Sequence, residues 1–273
     1  MEFGETLKEV RHARNLNQKK LAKGLLSRTS LSKIENNKQI PAYDTASKLI
    51  TKLGLTTTES NYIANNYQWT KKQGLINEFF ALTQTYPPDI TTLLVKCQNY
   101  LATKEDLDIK HIHLALVANS NFLSNFELAT KNAALVWNDL EKFTAWTKLN
   151  LFLVNSILQT FPTTTAVNIA QYALKIITKK YPHLKYLQAE FLNNCAKALM
   201  TDKDTFQAKK FLYQMIPLYQ ALSRYDLLAF TKFRLALCDN DKLQAKSQLQ
   251  LLQHMGATFL ANDASQEFMQ PKN

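Results

Sequence analysis

At 273 residues with a 46% hydrophobic composition, the chain is long enough for about two domains with buried cores, which excludes the disordered class. Its 33 Lys+Arg against 22 Asp+Glu leave a net charge of +11, so an anionic partner is the first to consider. An average chain of this length holds about 19 glycines; this one has five, and four of them (Gly4, Gly24, Gly54, Gly74) fall in the first 74 residues, which excludes a β-rich or glycine-loop nucleotide fold beyond that point.

Taken in chain order, the first 65 residues read as five short helices. Phe3, Leu7, Val10 and Ala13 recur at helical spacing, and Asn17 precedes the apolar pair Leu21 and Ala22. Leu31 and Ile34 form a third stripe. Pro41 opens a fourth through Ala46, Leu49, Ile50 and Leu53, which Gly54 closes, and a fifth helix runs from about Thr57 to Asn65. These residues make one module, 1–66, followed by a second domain, 67–273.

Beyond Gln68, breakers at Pro87-Pro88, Asn119 to Asn121, Phe161-Pro162, Pro182, Asp202 to Asp204 and Asp239 to Asp241 separate about ten helices, or about five antiparallel pairs. FQAKKFLYQM (206–215) and LQAKSQLQLL (243–252) match at Gln, Ala, Lys and Leu with an offset of 37. Small residues at Ala129, Ala170, Ala208 and Ala245 extend the register in steps of 41, 38 and 37. These exceed a strict tetratricopeptide period but suit an irregular helical-pair array, in which the small residue lets the two helices of a pair approach. An ordinary bundle with chance alanines is the alternative. The expected fold class is therefore all-α: a five-helix N-terminal module followed by a tetratricopeptide-like array.

The N-terminal module is the more sharply charged. Within 11–38, Arg11, Arg14, Lys19, Lys20, Lys23, Arg28, Lys33 and Lys38 face only Glu35. In the stretch Leu16 to Pro41, Leu21, Ala22, Leu31 and Ile34 pack two helices together, Gly24 permits the turn and Ser27 caps the second helix. With Leu31 and Ile34 inside, Arg28, Thr29, Ser32 and Lys33 point outward, offering short hydroxyls to base edges and long cations to guanine or phosphate. Gln18, in the first turn of the preceding helix, is placed for a backbone phosphate; Arg14, Asn36 and Lys38 complete the candidate DNA-contacting set. A merely solvated basic face is the alternative.

QKKLAKG followed by LLS and LSKIEN resembles the helix-turn-helix of the Cro/C1 (XRE) class, and in particular the Rgg/GadR/MutR regulators of Gram-positive bacteria. The Trp146 to Phe161 segment, the closing FRLALCDND and AKSQLQLLQHMG, and the chain length fit the same family, although its usual turn glycine is Asn37, a residue that tolerates a left-handed backbone. The resemblance implies a right-handed array that dimerises and binds a short peptide pheromone in its concave face.

That face is lined by the first helix of each pair. Lys148, Asn155 and Gln159 share a stripe of an otherwise apolar helix, Asn194 lies with Leu187, Glu190 and Phe191, and Arg234 with Leu227, Phe230 and Thr231. Asn can clamp a peptide backbone and Arg a carboxylate, so the candidate peptide-binding set is Asn155, Asn194, Arg234, Lys148, Asn150 and Asn193. The alternatives are interhelical hydrogen bonds for the asparagines and a snorkelling arginine.

Cys97, Cys195 and Cys238 are far apart and odd in number, which argues against a disulfide framework or zinc site; Cys97 is the least excluded as reactive. His111 and His113 point to different faces. With no GxSxG, HExxH, Walker loop or GxGxxG, the sequence predicts no enzyme, no metal and no cofactor. The acidic opening is not a signal peptide, and the longest apolar window, Leu149 to Leu158, is interrupted, so a cytoplasmic protein without a membrane span is expected. The resulting expectation is a homodimeric transcription regulator with an operator, a short apolar peptide and RNA polymerase as partners. A ligand-independent regulator, or a phage-repressor or antitoxin-like protein whose groove holds a partner protein, are the alternatives. Met255, Phe259 and Leu260 at the end of the array are expected to lie exposed in a monomer unless the tail folds back as its own cap.

Overall fold

A computed structural model describes residues 1–82 and 90–269, so the Pro87-Pro88 breaker lies outside the described residues. Sixteen α-helices and no strand are found among them, dividing into two compact units, Met1–Gly74 and Leu75–Asn273.

The first unit holds the five expected helices: α1 (Phe3–Ala13), α2 (Gln18–Ala22), α3 (Arg28–Glu35), α4 (Tyr43–Lys52) and α5 (Thr57–Ala64). The starts of α2, α3 and α5 are fixed by side-chain caps, Asn17 accepting from the Lys20 amide, Ser27 from Ser30 and Thr56 from Glu59. Leu7, Leu21, Leu31, Ile34, Leu49 and Leu53 form the core. Ala13, counted in the first stripe, is exposed because α1 ends there. A Cβ on Gly4 would lie 2.0 Å from the Ile34 carbonyl oxygen, so only glycine fits where α1 meets α3.

The array follows as α6 (Lys71–Ala81), α7 (Ile90–Leu101), α8 (Leu107–Asn121), α9 (Phe126–Leu140), α10 (Lys148–Ile157), α11 (Thr163–Lys180), α12 (Lys185–Thr201), α13 (Thr205–Ala221), α14 (Tyr225–Cys238), α15 (Lys242–His254) and α16 (Thr258–Met269). Successive helices pack as neighbours from α7 to α10 and from α11 to α16, and alternate ones stack: α8 on α10, α10 on α12, α14 on α16. This is the layering of a helical-pair array, with α8, α10, α12, α14 and α16 as the first helices of pairs. Ala129, Ala170, Ala208 and Ala245 lie in the second helices α9, α11, α13 and α15, each fully buried, where a larger side chain would hold the pair apart.

The eleventh helix, α16, lies beyond the ten expected. It packs on α14 and α15 and buries Leu260, Ala261 and Ala264. Leu260 is thus not exposed, and the tail caps the array as the alternative reading had it; Met255 and Phe259 remain exposed at 46% and 43%. No helix among the described residues is long and apolar enough to cross a membrane.

Candidate nucleic-acid interface and ligand groove

In the second unit, α10, α12 and α14 carry the polar groups singled out from the sequence. Asn194, half-buried on α12, donates its amide to Asn155 Oδ1 on α10 at 3.2 Å, and Asn155 itself is buried. The two asparagines therefore meet, and they bond one another between the stacked helices α10 and α12. Arg234 does not stand free for a peptide carboxylate. Its Nε and Nη2 donate to Glu267 of α16, Nε at 3.0 and 3.2 Å, its Nη1 donates to Asn193 Oδ1 at 2.7 Å, and the guanidinium lies over the Phe230 ring. A carboxylate of the chain itself occupies the place assigned to a ligand's.

Asn150 is also structural. It forms a capping box with Thr147, its Oδ1 accepting from the Thr147 amide at 2.9 Å and hydroxyl at 2.8 Å, so its side chain is committed to starting α10. Lys148 rests its ammonium over Phe80 at 4.1 Å, and burial lowers its pKa. Gln159 donates to Asn119, which donates to Ser156, bridging α8 and α10.

All three cysteines are buried and none forms a disulfide among the described residues; burial, with nearby Glu78, pushes the Cys97 thiol up to about 11, which disfavours the reactive thiolate there. His111 bonds Asp139 at 3.0 Å between α8 and α9, while His113 Nε2 is buried without a hydrogen-bond partner among the described residues.

The first unit presents its polar groups differently. Arg28, Thr29 and Lys33 are exposed on α3, Ser32 is half-buried, and Leu31 and Ile34 are inside, as the spacing requires. Asn36 ends α3 with its amide on the Ser32 carbonyl at 2.8 Å, and Asn37 takes the left-handed conformation at φ 56°. Arg14 is exposed, its guanidinium lying over Gly54, where a Cβ would come within 2.6 Å.

Two residues of the basic stretch turn inward. Arg11 pairs with Glu35 at 2.6 and 2.8 Å, both nearly fully buried, and Gln18 donates to Glu35 Oε2 at 2.9 Å. Burial pushes the Glu35 carboxyl up, but the hydrogen bonds from Arg11 and Gln18 outweigh it and hold it below the ordinary carboxylate value. The Gln18 amide is thus turned from the surface on which it was expected to meet a phosphate. Once Arg11 and Glu35 cancel, seven cations remain, and Arg14, Lys19, Lys20, Lys23, Arg28, Lys33 and Lys38 are all exposed. Lys19 and Arg28 line a hollow of about 540 Å³ with Lys8, Arg11, His12, Asn17 and Gln18.

The family whose pattern matches this stretch is the helix-turn-helix family HTH_3, over residues 7–60. The N-terminal unit carries a helix-turn-helix domain. No curated protein matches the chain by sequence. Among solved structures, PlcR of Bacillus thuringiensis, in complex with the peptide PapR7 and DNA, aligns over 98% of this chain and 99% of its own at 14% identity and a TM-score of 0.73. The SHP pheromone receptor Rgg2 of Streptococcus dysgalactiae covers 98% of each chain at 13% identity, TM-score 0.70. ComR of S. thermophilus, with DNA and its signalling peptide ComS, covers 98% and 99% at 11% identity, TM-score 0.65. At these identities the likeness is one of fold, and it extends from the helix-turn-helix domain through the whole array.

Sequence reading missed three residues of consequence. Lys52 donates to the Leu21 and Lys23 carbonyls, closing the C-terminal end of α2 in the helix-turn-helix domain. Glu267 neutralises Arg234. Glu190, noted only as a neighbour on the Asn194 face, is a half-buried carboxylate whose pKa burial raises to about 7.

Proposed function

We propose that the protein is a cytoplasmic, homodimeric transcription regulator that reads operator DNA through α3 and takes a short, mostly apolar peptide in the groove of its array. The observation that carries this reading is the outward face of the helix-turn-helix domain: Arg28, Thr29 and Lys33 are exposed at a capped helix, in a stretch whose other exposed cations, Arg14, Lys19, Lys20, Lys23 and Lys38, form no ion pair among the described residues. Such a surface meets base edges and phosphates together. The groove reading draws support from the full-length fold shared with PlcR and ComR, both solved with a peptide and DNA. Asn155 and Asn194 would exchange their mutual hydrogen bond for bonds to a peptide backbone. A change of the array's curvature on binding would respace the two reading heads or expose a surface to RNA polymerase.

Enrichment of random duplex DNA on the full-length protein, followed by titration of the selected sequence, tests the first half. Arg28→Ala or Lys33→Ala is expected to cost about 1 to 3 kcal/mol on that sequence and to relax its preference. Affinity should fall steeply with salt as counterions are released. A flat salt dependence, or selection that converges on no sequence, would refute the reading. Asn155→Ala with Asn194→Ala is expected to remove the peptide response and leave DNA affinity unchanged. The ligand-independent alternative requires DNA binding that no peptide alters.

A further inference from the structure

Resting on the peptide reading, we propose that Glu190 seats a positively charged group of the bound peptide, its N-terminal ammonium or a basic side chain. Glu190 lies on α12 one turn before Asn194, in the layer of first helices that carries the candidate peptide-binding residues, and is half-buried. The polar groups around it are already engaged. Asn194 bonds Asn155, Asn193 bonds Arg234, Arg234 is paired with Glu267, and Arg224, at the start of α14, is paired with Asp226 at 2.6 and 2.8 Å. Glu190 itself forms no hydrogen bond or ion pair among the described residues.

The local charge count follows. Arg224 cancels Asp226, Arg234 cancels Glu267, and the charge of Glu190 is left over. Burial pushes the Glu190 carboxyl up to about 7, outweighing the pull of Arg234 and Arg224, each of which is hydrogen-bonded to another carboxylate. Tyr219 of α13 feels the same leftover charge: burial, then Glu190, raise its hydroxyl above the usual range. When Glu190 is ionised, the three carboxylates Glu190, Asp226 and Glu267 outnumber the two guanidiniums of Arg224 and Arg234 by one, and the missing element is a cation. An ammonium there would form a charge-assisted hydrogen bond and return the carboxyl to its ionised form. An apolar peptide presents such a group at its N-terminus without any basic residue.

The test uses full-length protein and pools of synthetic heptapeptides randomised over Leu, Val, Ile and Phe, all C-terminally amidated. One pool has a free N-terminus, one is acetylated, and one is acetylated with a single Lys; retained peptide is quantified by mass spectrometry. Wild type is expected to retain the two cationic pools about tenfold over the acetylated one, and Glu190→Gln to lose that preference while still retaining apolar peptides. Glu190→Gln is isosteric and removes a charge that burial opposes, so its fold is expected to persist, as a thermal melt would verify. Equal retention of all pools by wild type, or a cation preference that survives Glu190→Gln, overturns the assignment while leaving the peptide reading intact. Retention of no pool by either protein overturns the peptide reading, and this assignment with it.

Discussion

The two units treat their polar side chains in opposite ways. In the helix-turn-helix domain the cations stand exposed and only Arg11 is folded inward, whereas in the array the conspicuous polar residues bond one another across helices. The difference follows from what each surface meets when unliganded. Exposed lysines are solvated by water and cost nothing while waiting for a polyanion, but a polar group in an apolar groove costs about 1 to 3 kcal/mol unless it is satisfied. The array keeps Asn155, Asn194, Asn193 and Arg234 paired, so the peptide binding proposed above would be an exchange of partners instead of a filling of vacancies.

The largest expected effect breaks the one polar network buried in the N-terminal unit. Glu35→Ala leaves Arg11 buried and uncompensated and should destabilise that unit by about 3 to 5 kcal/mol, measured by urea denaturation of the full chain; a loss under about 1 kcal/mol would mean that Arg11 reaches solvent freely. A smaller effect, dependent on pH, is expected at Glu190. Its folded pKa of about 7 lies above the ordinary 4.5, so the protonated form is favoured in the folded state. That contribution is full below pH 4.5 and is lost as pH rises through 7. Glu190→Gln should therefore melt higher than wild type at pH 8 and converge with it near pH 4. One pK unit being worth about 1.4 kcal/mol and solvent screening reducing the total, the gain is roughly 1 to 2 kcal/mol. Identical melting curves at both pH values would remove the premise.

The asparagine pair sharpens the comparison further. A double-mutant cycle of Asn155→Ala and Asn194→Ala should return a coupling of about 0.5 to 1.5 kcal/mol, whereas independent, solvated asparagines would give none. Smallest is Asn37→Gly, which keeps the left-handed turn after α3 at lower steric cost and should raise stability by a few tenths of a kcal/mol, about the margin by which glycine is preferred there; a loss would show that the Asn37 side chain itself matters.

What could be read from the sequence was what local rules decide. Helical spacing and caps located α1 to α5, and the alanines at 129, 170, 208 and 245 disclosed the pair register, because a small residue at a fixed place is needed in every pair. The candidate residues of α10, α12 and α14 fall in one layer for the same reason. Their partners were not legible. Arg234 finds Glu267 across 33 positions and Gln18 finds Glu35 across 17, pairings set by how helices dock and by no local pattern. Asn150 is the exception: its cap partner Thr147 is three residues away, but with Asn in place of the usual Glu or Gln the box resembled a ligand-facing amide.

The alanine register also fixes where the array can change length. The connection from each second helix to the next first helix spans seven residues after α9 (141–147), four after α11 (181–184) and three after α13 (222–224). These fall by three and then one, as do the alanine steps of 41, 38 and 37. The connections within pairs vary less, five residues after α10 (158–162) and three after both α12 (202–204) and α14 (239–241), so spare chain lies chiefly at one edge of the stack, as leaves of unequal width are still held nearly flush along a bound spine. A short insertion spliced into the 141–147 connection is expected to fold with the rest, while one placed beside any of the four alanines would force a pair of helices apart.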